Sequence, residues 1–214
     1  MRLFNAWLSK LTPYWMVSDR HMFYTFCKNL LYVLYRFFFR LEVKGKHHVP
    51  QTGGVVLCAN HISNFDPPTI GIALKRKVRF MAKAELFKVP VLGSIISALG
   101  AFPVKRGGVG KDAIKTAFQV LRSGEVMGIF PEGTRNMSGD VAAKKGAAMI
   151  ALKSGAAVVP VAIAGSYKLF GKVTVTYGPP IDMQDLLDAK DSDMLEQATD
   201  RIMQHIYALV DSKS

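Results

Sequence analysis

The sequence predicts an α/β fold: a mostly parallel central sheet flanked by helices, preceded by an N-terminal amphipathic two-helix segment. Three observations lead there. From about residue 41, short apolar runs take turns with helical segments, the pattern of strands joined by helical crossovers. The first forty residues instead carry aromatic and aliphatic side chains at three- and four-residue spacing with basic residues between them. With 214 residues, half of them hydrophobic, the chain has enough apolar surface for one compact domain with a sizeable core. Residues 1–40 are therefore set apart from a domain spanning 41–214.

In the N-terminal segment, Phe23, Phe26, Cys27, Leu30, Leu31, Leu34, Phe37 and Phe38 share one helical stripe. Tyr24, Tyr32, Val33, Tyr35 and Phe39 lie off it beside Lys28, Arg36 and Arg40, whose long stems can lie along apolar surface. A shorter segment before it holds Leu3, Phe4, Trp7, Leu8 and Leu11. Two readings fit: a helix pair packed on the protein's own core, or an interfacial membrane anchor, which the net charge of +5 over residues 1–40 favours. Strands are expected at Leu41–Lys44, Gly54–Ala59, Val78–Met81, Ala101–Val104, Val126–Phe130, Val158–Ile163 and Val173–Tyr177. Helices are expected at Pro67–Leu74, Glu85–Leu99 with a break near Pro90, Lys111–Arg122, Ala142–Lys153 and Met194–Val210. In the last of these Ala198, Ile202, Ile206 and Leu209 share a face.

Composition excludes several classes. The apolar content rules out disorder as the main state. Cys27 and Cys58 lie far apart, so neither a disulfide scaffold nor a four-ligand zinc site is expected. The longest uncharged run, Val89 to Val104, is 16 residues broken by Pro90, Gly93, Gly100 and Pro103, short of a spanning helix. Lys10, Asp19, Arg20 and Lys28 interrupt any leader-like apolar core, so Met1 is expected to belong to the mature protein. The net charge of +12 is uneven: residues 181–214 hold eight acidic and three basic residues, whereas residues 1–180 carry a net of +17. An anionic partner is implied, either nucleic acid, membrane or phosphorylated substrate.

Sites in open α/β sheets gather beyond the carboxyl ends of the strands. Four junctions there carry distinctive residues. After the second strand come Asn60, His61, Ile62, Ser63, Asn64, Phe65 and Asp66, then Pro67. His61 and Asp66 are five apart, too far around a regular helix to meet, but Pro67 disfavours the α conformation for Asp66 and a loop can fold them together. The carboxylate would then fix the imidazole tautomer and leave the other nitrogen as a base. The same residues also fit a helix cap beside a polar loop histidine. The second junction offers Lys105 and Arg106 before Gly107 and Gly108, either a solvated turn or a phosphate cradle. The third reads Phe130-Pro131-Glu132-Gly133-Thr134-Arg135, whose Pro and Gly fit a tight turn that has no need of Glu132 or Arg135. At the fourth, Lys83 follows the third strand.

Taken together, Asn60-His61-x4-Asp66, Gly100-Ala101-Phe102-Pro103-Val104-Lys105-Arg106, Phe130-Pro131-Glu132-Gly133-Thr134-Arg135 and Val158-Val159-Pro160-Val161 match, in order, the four motifs of one family. The chain resembles the bacterial 1-acyl-glycerol-3-phosphate acyltransferases, over about residues 55–165. The resemblance implies His61 as general base and Asp66 as its orienting carboxylate. It implies that Arg106, Glu132, Gly133, Thr134 and Arg135 bind the phosphorylated acceptor, and that Pro160 shapes an acyl pocket. Lys83 resembles the lysine of a short Ala-Lys-x-Glu-Leu segment near the site. Pro103 departs from the second motif, where an aliphatic residue or Phe is commoner.

The implied reaction is acyl transfer from acyl-CoA or acyl-carrier protein to the sn-2 hydroxyl of lysophosphatidic acid, with no metal and no cofactor beyond that co-substrate. No Gly-x-Ser-x-Gly elbow is present and Cys58 lies inside an apolar strand, so direct transfer is expected rather than an acyl-enzyme. The expected partners are lysophosphatidic acid, the thioester donor and an anionic membrane surface, with the protein peripheral or monotopic on the cytoplasmic face of the cell membrane. Alternatives are another acceptor, such as glycerol 3-phosphate or a different lysolipid, or a non-catalytic membrane-binding module. No nucleic-acid recognition motif is present, and none is expected as a partner.

Overall fold

A computed structural model describes residues 14–104, 110–132, 141–189 and 192–211. Among them are seven strands: β1 (Glu42–Lys44), β2 (Val55–Ala59), β3 (Val78–Lys83), β4 (Ala101–Val104), β5 (Val126–Ile129), β6 (Ala157–Gly165) and β7 (Val173–Tyr177). The helices are α1 (Tyr14–Phe38), α2 (Asp66–Ile72), α3 (Leu92–Ala98), α4 (Lys111–Arg122), α5 (Val141–Lys153), α6 (Gln184–Ala189) and α7 (Met194–Asp211). Short 3-10 turns lie at Lys46–His48 and Ala84–Lys88.

The strands form one sheet in the order β1-β7-β6-β2-β5-β3-β4. Five of them, β6-β2-β5-β3-β4, run parallel, while β7 pairs antiparallel with β6 and carries β1 parallel to itself at the edge. Successive residues of a strand face opposite sides of a sheet, and β2 uses both sides for burial. Val56 and Cys58 enter one core with Met127 and Ile129 of β5, under α4, α5 and α7. Val55, Leu57 and Ala59 enter the other with Val159 and Val161 of β6, Ile70 of α2 and Tyr35 of α1. Helices therefore cover both faces of a buried parallel sheet, which explains its continuous apolar runs.

All seven expected strands are present, two with the expected ends and five with ends shifted by a residue or two. The helix expected over Glu85–Leu99 is two pieces, the Ala84–Lys88 turn and α3, parted at Pro90. Helix α6 was not expected, because six residues, Gln184–Ala189, give too short a window for periodicity to register.

Helix α1 packs on the domain through a side other than its apolar stripe. Among its described side chains the buried ones are Tyr24 and Tyr35, both off the apolar stripe, while Phe23, Phe26, Leu30, Leu34 and Phe37 are exposed. One side thus packs on the domain, and polar groups hold it there. Lys28 donates to Leu74 O at 3.1 Å, Tyr35 donates to Phe65 O at 3.3 Å, and the Lys77 ammonium sits 4.7 Å from the Tyr24 ring centroid. The shorter segment expected around Leu3 to Leu11 falls outside the described residues. Among the described residues no helix is long and apolar enough to cross a membrane.

Gly128 in β5 stands opposite Phe80 of β3, and a Cβ there would overlap the Phe80 ring. Gly128→Ala is expected to destabilise the protein by about 1–3 kcal/mol, the usual cost of overfilling a packed core. Denaturant unfolding measures this, and Phe80→Leu in the same chain should recover part of the loss.

Candidate active site

The carboxyl ends of β2, β5, β3 and β6 bring the candidate residues to one edge of the sheet. Asn60, directly after β2, is buried and uses its side chain as one more strand residue. Its Oδ1 accepts from Ile163 N at 2.7 Å and its Nδ2 donates to Ile163 O at 2.9 Å. That pins the loop to β6 just where the backbone leaves β2 for His61.

The loop then turns tightly enough for Asp66 N to donate to Ser63 O at 3.2 Å. Asp66 is the first residue of α2, with Phe65 in the capping position and Pro67 next. Its side chain does not cap the helix in the ordinary way. It reaches back over the loop, where Oδ2 accepts from Ile62 N at 2.7 Å, Ser63 N at 2.6 Å and His61 Nδ1 at 2.7 Å. Asp66 is fully buried, so these donors and the N-terminal end of the helix offset the cost of taking the carboxylate out of water. A carboxylate only accepts, so Nδ1 of His61 carries the hydrogen, and in the neutral imidazole Nε2 presents its lone pair. The imidazole is stacked on Phe130, with centroids 4.2 Å apart and planes at 23°. Its side chain keeps 16% of its surface exposed, so the site stays open to a ligand.

Two tyrosines flank the carboxylate. Tyr35 of α1 and Tyr167, which follows β6, have hydroxyls pushed far above their ordinary pKa, mainly by burial and in smaller part by the charge of Asp66. Thr69 gives its hydrogen to Phe65 O at 2.8 Å, so the Tyr167 hydroxyl donates to Thr69 Oγ1 at 2.7 Å. The Tyr167 ring packs against Phe65 and Phe39, linking the His61 loop to the end of α1.

Glu132 lies beyond β5. Its Oε2 accepts from the backbone N–H of His61 at 3.2 Å and its Oε1 accepts from the Tyr207 hydroxyl of α7 at 3.4 Å. In this arrangement the carboxylate braces the histidine loop. Lys83 ends β3, opposite Val104 at the end of β4, and is exposed. β2 and β3 stand on either side of β5, so their ends are about 10 Å apart. Arg106, Gly133, Thr134 and Arg135 lie outside the described residues. The structure thus joins His61, Asp66 and Glu132 in one hydrogen-bonded unit and sets Lys83 two strands away.

Three contributors escaped the sequence reading. Asn60 and Phe130 stood inside the motifs without an assigned role, and Tyr167 gave no signal because its partners are 98 or more residues away. Among the described residues no group of three or more His, Cys, Asp or Glu is placed to hold a metal ion.

A family model described as Acyltransferase matches residues 40–164. The 1-acyl-sn-glycerol-3-phosphate acyltransferase of Bacillus subtilis is 35% identical over 192 residues, covering 87% of this chain and 96% of that protein. This chain belongs to the acyltransferase family. The protein of the same name from Streptococcus pneumoniae is 33% identical over 87% of this acyltransferase and 72% of its own length. The crystal structure of the 1-acyl-sn-glycerophosphate (LPA) acyltransferase PlsC from Thermotoga maritima shares the fold, with a TM-score of 0.69 at 24% identity over 98% of this chain and 87% of the other.

Cys58, the residue before Ala59 in β2, is fully buried and its thiol is pushed up to about 12 by desolvation. At pH 8 it should resist alkylation in the folded protein. Cys58→Ala should retain acyl transfer within a few-fold, since a protonated buried thiol is a poor nucleophile. Asn60→Ala should lower stability by about 1–3 kcal/mol, because Ile163 N–H and C=O lose their buried partners. Its transfer rate should fall in the folded fraction as well, read by activity normalised to native protein.

Proposed function

We propose that this acyltransferase moves a fatty acyl group from an acyl thioester, acyl-CoA or acyl-carrier protein, directly to the sn-2 hydroxyl of 1-acyl-glycerol 3-phosphate. The product is phosphatidic acid. The observation that carries the reading is the 2.7 Å hydrogen bond from His61 Nδ1 to the buried Asp66 carboxylate, which leaves Nε2 free at the open side of the site. The names of the Bacillus subtilis and Streptococcus pneumoniae relatives support the acceptor.

In the step, Nε2 of His61 takes the hydroxyl proton as the oxygen attacks the thioester carbonyl. Asp66 stabilises the imidazolium that forms. The tetrahedral intermediate collapses with loss of the thiolate, which then receives the proton from the imidazolium. A thiol has a pKa of about 8.5, so its thiolate leaves without a strong acid, and the step needs neither metal nor cofactor. Glu132 keeps the His61 backbone in place. Lys83, Arg106 and the Gly133-Thr134-Arg135 segment supply the cationic and backbone groups for the acceptor phosphate, with Arg preferred for its forked geometry.

Residues 1–40 serve as the membrane-anchoring segment of the acyltransferase domain 41–214, with the exposed side of α1 lying in the interface. The enzyme then works as a peripheral or monotopic protein at the cytoplasmic face of the cell membrane. There its basic surface meets anionic lipid, and the water-insoluble acceptor enters from the side.

Detergent-purified protein given lysophosphatidic acid and a labelled acyl thioester should form phosphatidic acid. His61→Ala should reduce the rate by about 100-fold or more, the ordinary contribution of a positioned base. Transfer to glycerol 3-phosphate or another lysolipid, and none to lysophosphatidic acid, would replace the acceptor. No transfer to any of them would overturn the reading.

A further inference from the structure

Exposed apolar side chains are distributed very unevenly on this protein. Among the described residues every exposed large hydrophobic residue except Tyr207 lies on α1, the Ile62–Phe65 loop, the Leu86–Ile95 segment or the turn between β6 and β7. These segments adjoin one another. The Phe37 ring of α1 lies 5.9 Å from Phe170 in the β6–β7 turn, Phe39 lies 5.5 Å from Phe65 of the histidine loop, and α1 contacts α3. Among the described residues, the opposite side, covered by α4, α5 and α7, offers only Tyr207. A continuous apolar surface of this kind marks an interaction face rather than ordinary solvated surface.

The β6–β7 turn is built to display its part of that face. Leu169 and Phe170 are 65% and 55% exposed, at the tip. Phe170 has φ of 61°, a left-handed conformation in which a bulky residue is unusual. Four backbone hydrogen bonds hold the turn. Phe170 N donates to Phe38 O at 2.6 Å, Val173 N to Phe39 O at 3.0 Å, Gly171 N to Lys168 O at 2.8 Å and Ser166 N to Lys172 O at 3.1 Å. The tip is thus fastened to the end of α1 while its two apolar side chains project outward. Lys168 and Lys172 flank them, Lys172 also pairing with Glu42 at 3.2 Å, and Arg36 at the adjoining end of α1 and Arg40 just beyond it are exposed. Apolar side chains ringed by cations suit the boundary between acyl chains and anionic headgroups.

We infer that the β6–β7 turn is a second membrane-insertion point, Leu169 and Phe170 entering the acyl region of an anionic bilayer alongside α1. This rests on the proposed reading of α1 as an interfacial helix. Tyr167 connects the turn to the His61 loop, so two fixed contacts set the angle at which the open side of His61 meets the lipid. One contact alone would leave the domain free to rotate about the helix.

The test uses the full chain and flotation with phosphatidylcholine vesicles with and without phosphatidylglycerol. Leu169→Ser with Phe170→Asn keeps a residue that accepts the left-handed backbone and removes the apolar tip. It should need about tenfold or more lipid for half-binding, since two large apolar side chains lose their burial. Leu169→Trp should bind as well as wild type, and Lys168→Glu should weaken binding to phosphatidylglycerol vesicles selectively. Activity on detergent-dispersed acceptor should stay within about twofold for all of them. Wild-type flotation by the Leu169→Ser, Phe170→Asn protein would overturn the second insertion point and leave the α1 reading standing. Failure of the wild type itself to float would overturn both, while the detergent assay would still report on the chemistry.

Discussion

The Asp66 carboxylate is the constraint around which the site is arranged. It is fully buried, and one oxygen collects three N–H donors from the loop that precedes it. A buried charge is tolerated only when such donors replace its water. Satisfying its Oδ2 therefore folds the Ile62–Ser63 backbone inward, brings Nδ1 of His61 onto the carboxylate and turns Nε2 outward. The helix start, the loop path and the histidine tautomer are solutions to one electrostatic problem.

The surroundings keep that solution in register. Asn60 ties the entry of the loop to β6, Glu132 ties the His61 N–H to the end of β5 and to α7, and Phe130 supports the imidazole face. On the other side, Tyr35 and Tyr167 close over the carboxylate and connect it to α1 and to the β6–β7 turn. The catalytic loop thus shares its packing with the apolar surface. Chemistry and lipid contact are set by the same few aromatic side chains.

Much of the sheet was legible because parallel strands buried on both faces read as short continuous apolar runs, as Val55–Ala59 and Val126–Ile129 do. Strand order was not, since nothing local records that β5 lies between β2 and β3. Which side of α1 is buried was not legible, for a physical reason. With aromatic residues nearly all round, periodicity defines no single inward side, and the residues that turn inward are two tyrosines whose hydroxyls find partners only in the folded domain. In the site, His61 and Asp66 were readable because their spacing and Pro67 are local. Asn60, Phe130 and Tyr167 depend on partners 69 to 128 residues away, and such pairings exist only once the sheet has formed.

The central claim is that Asp66 acts through His61 and has no separate part in the transfer step. A double-mutant cycle on acyl transfer, comparing Asp66→Asn, His61→Ala and the two together, tests it most directly. If the two residues form one unit, their effects are strongly non-additive and the double variant transfers no more slowly than His61→Ala alone. Losses that multiply, with the double variant slower by the product of the two single effects, would contradict the account and give each residue an independent role.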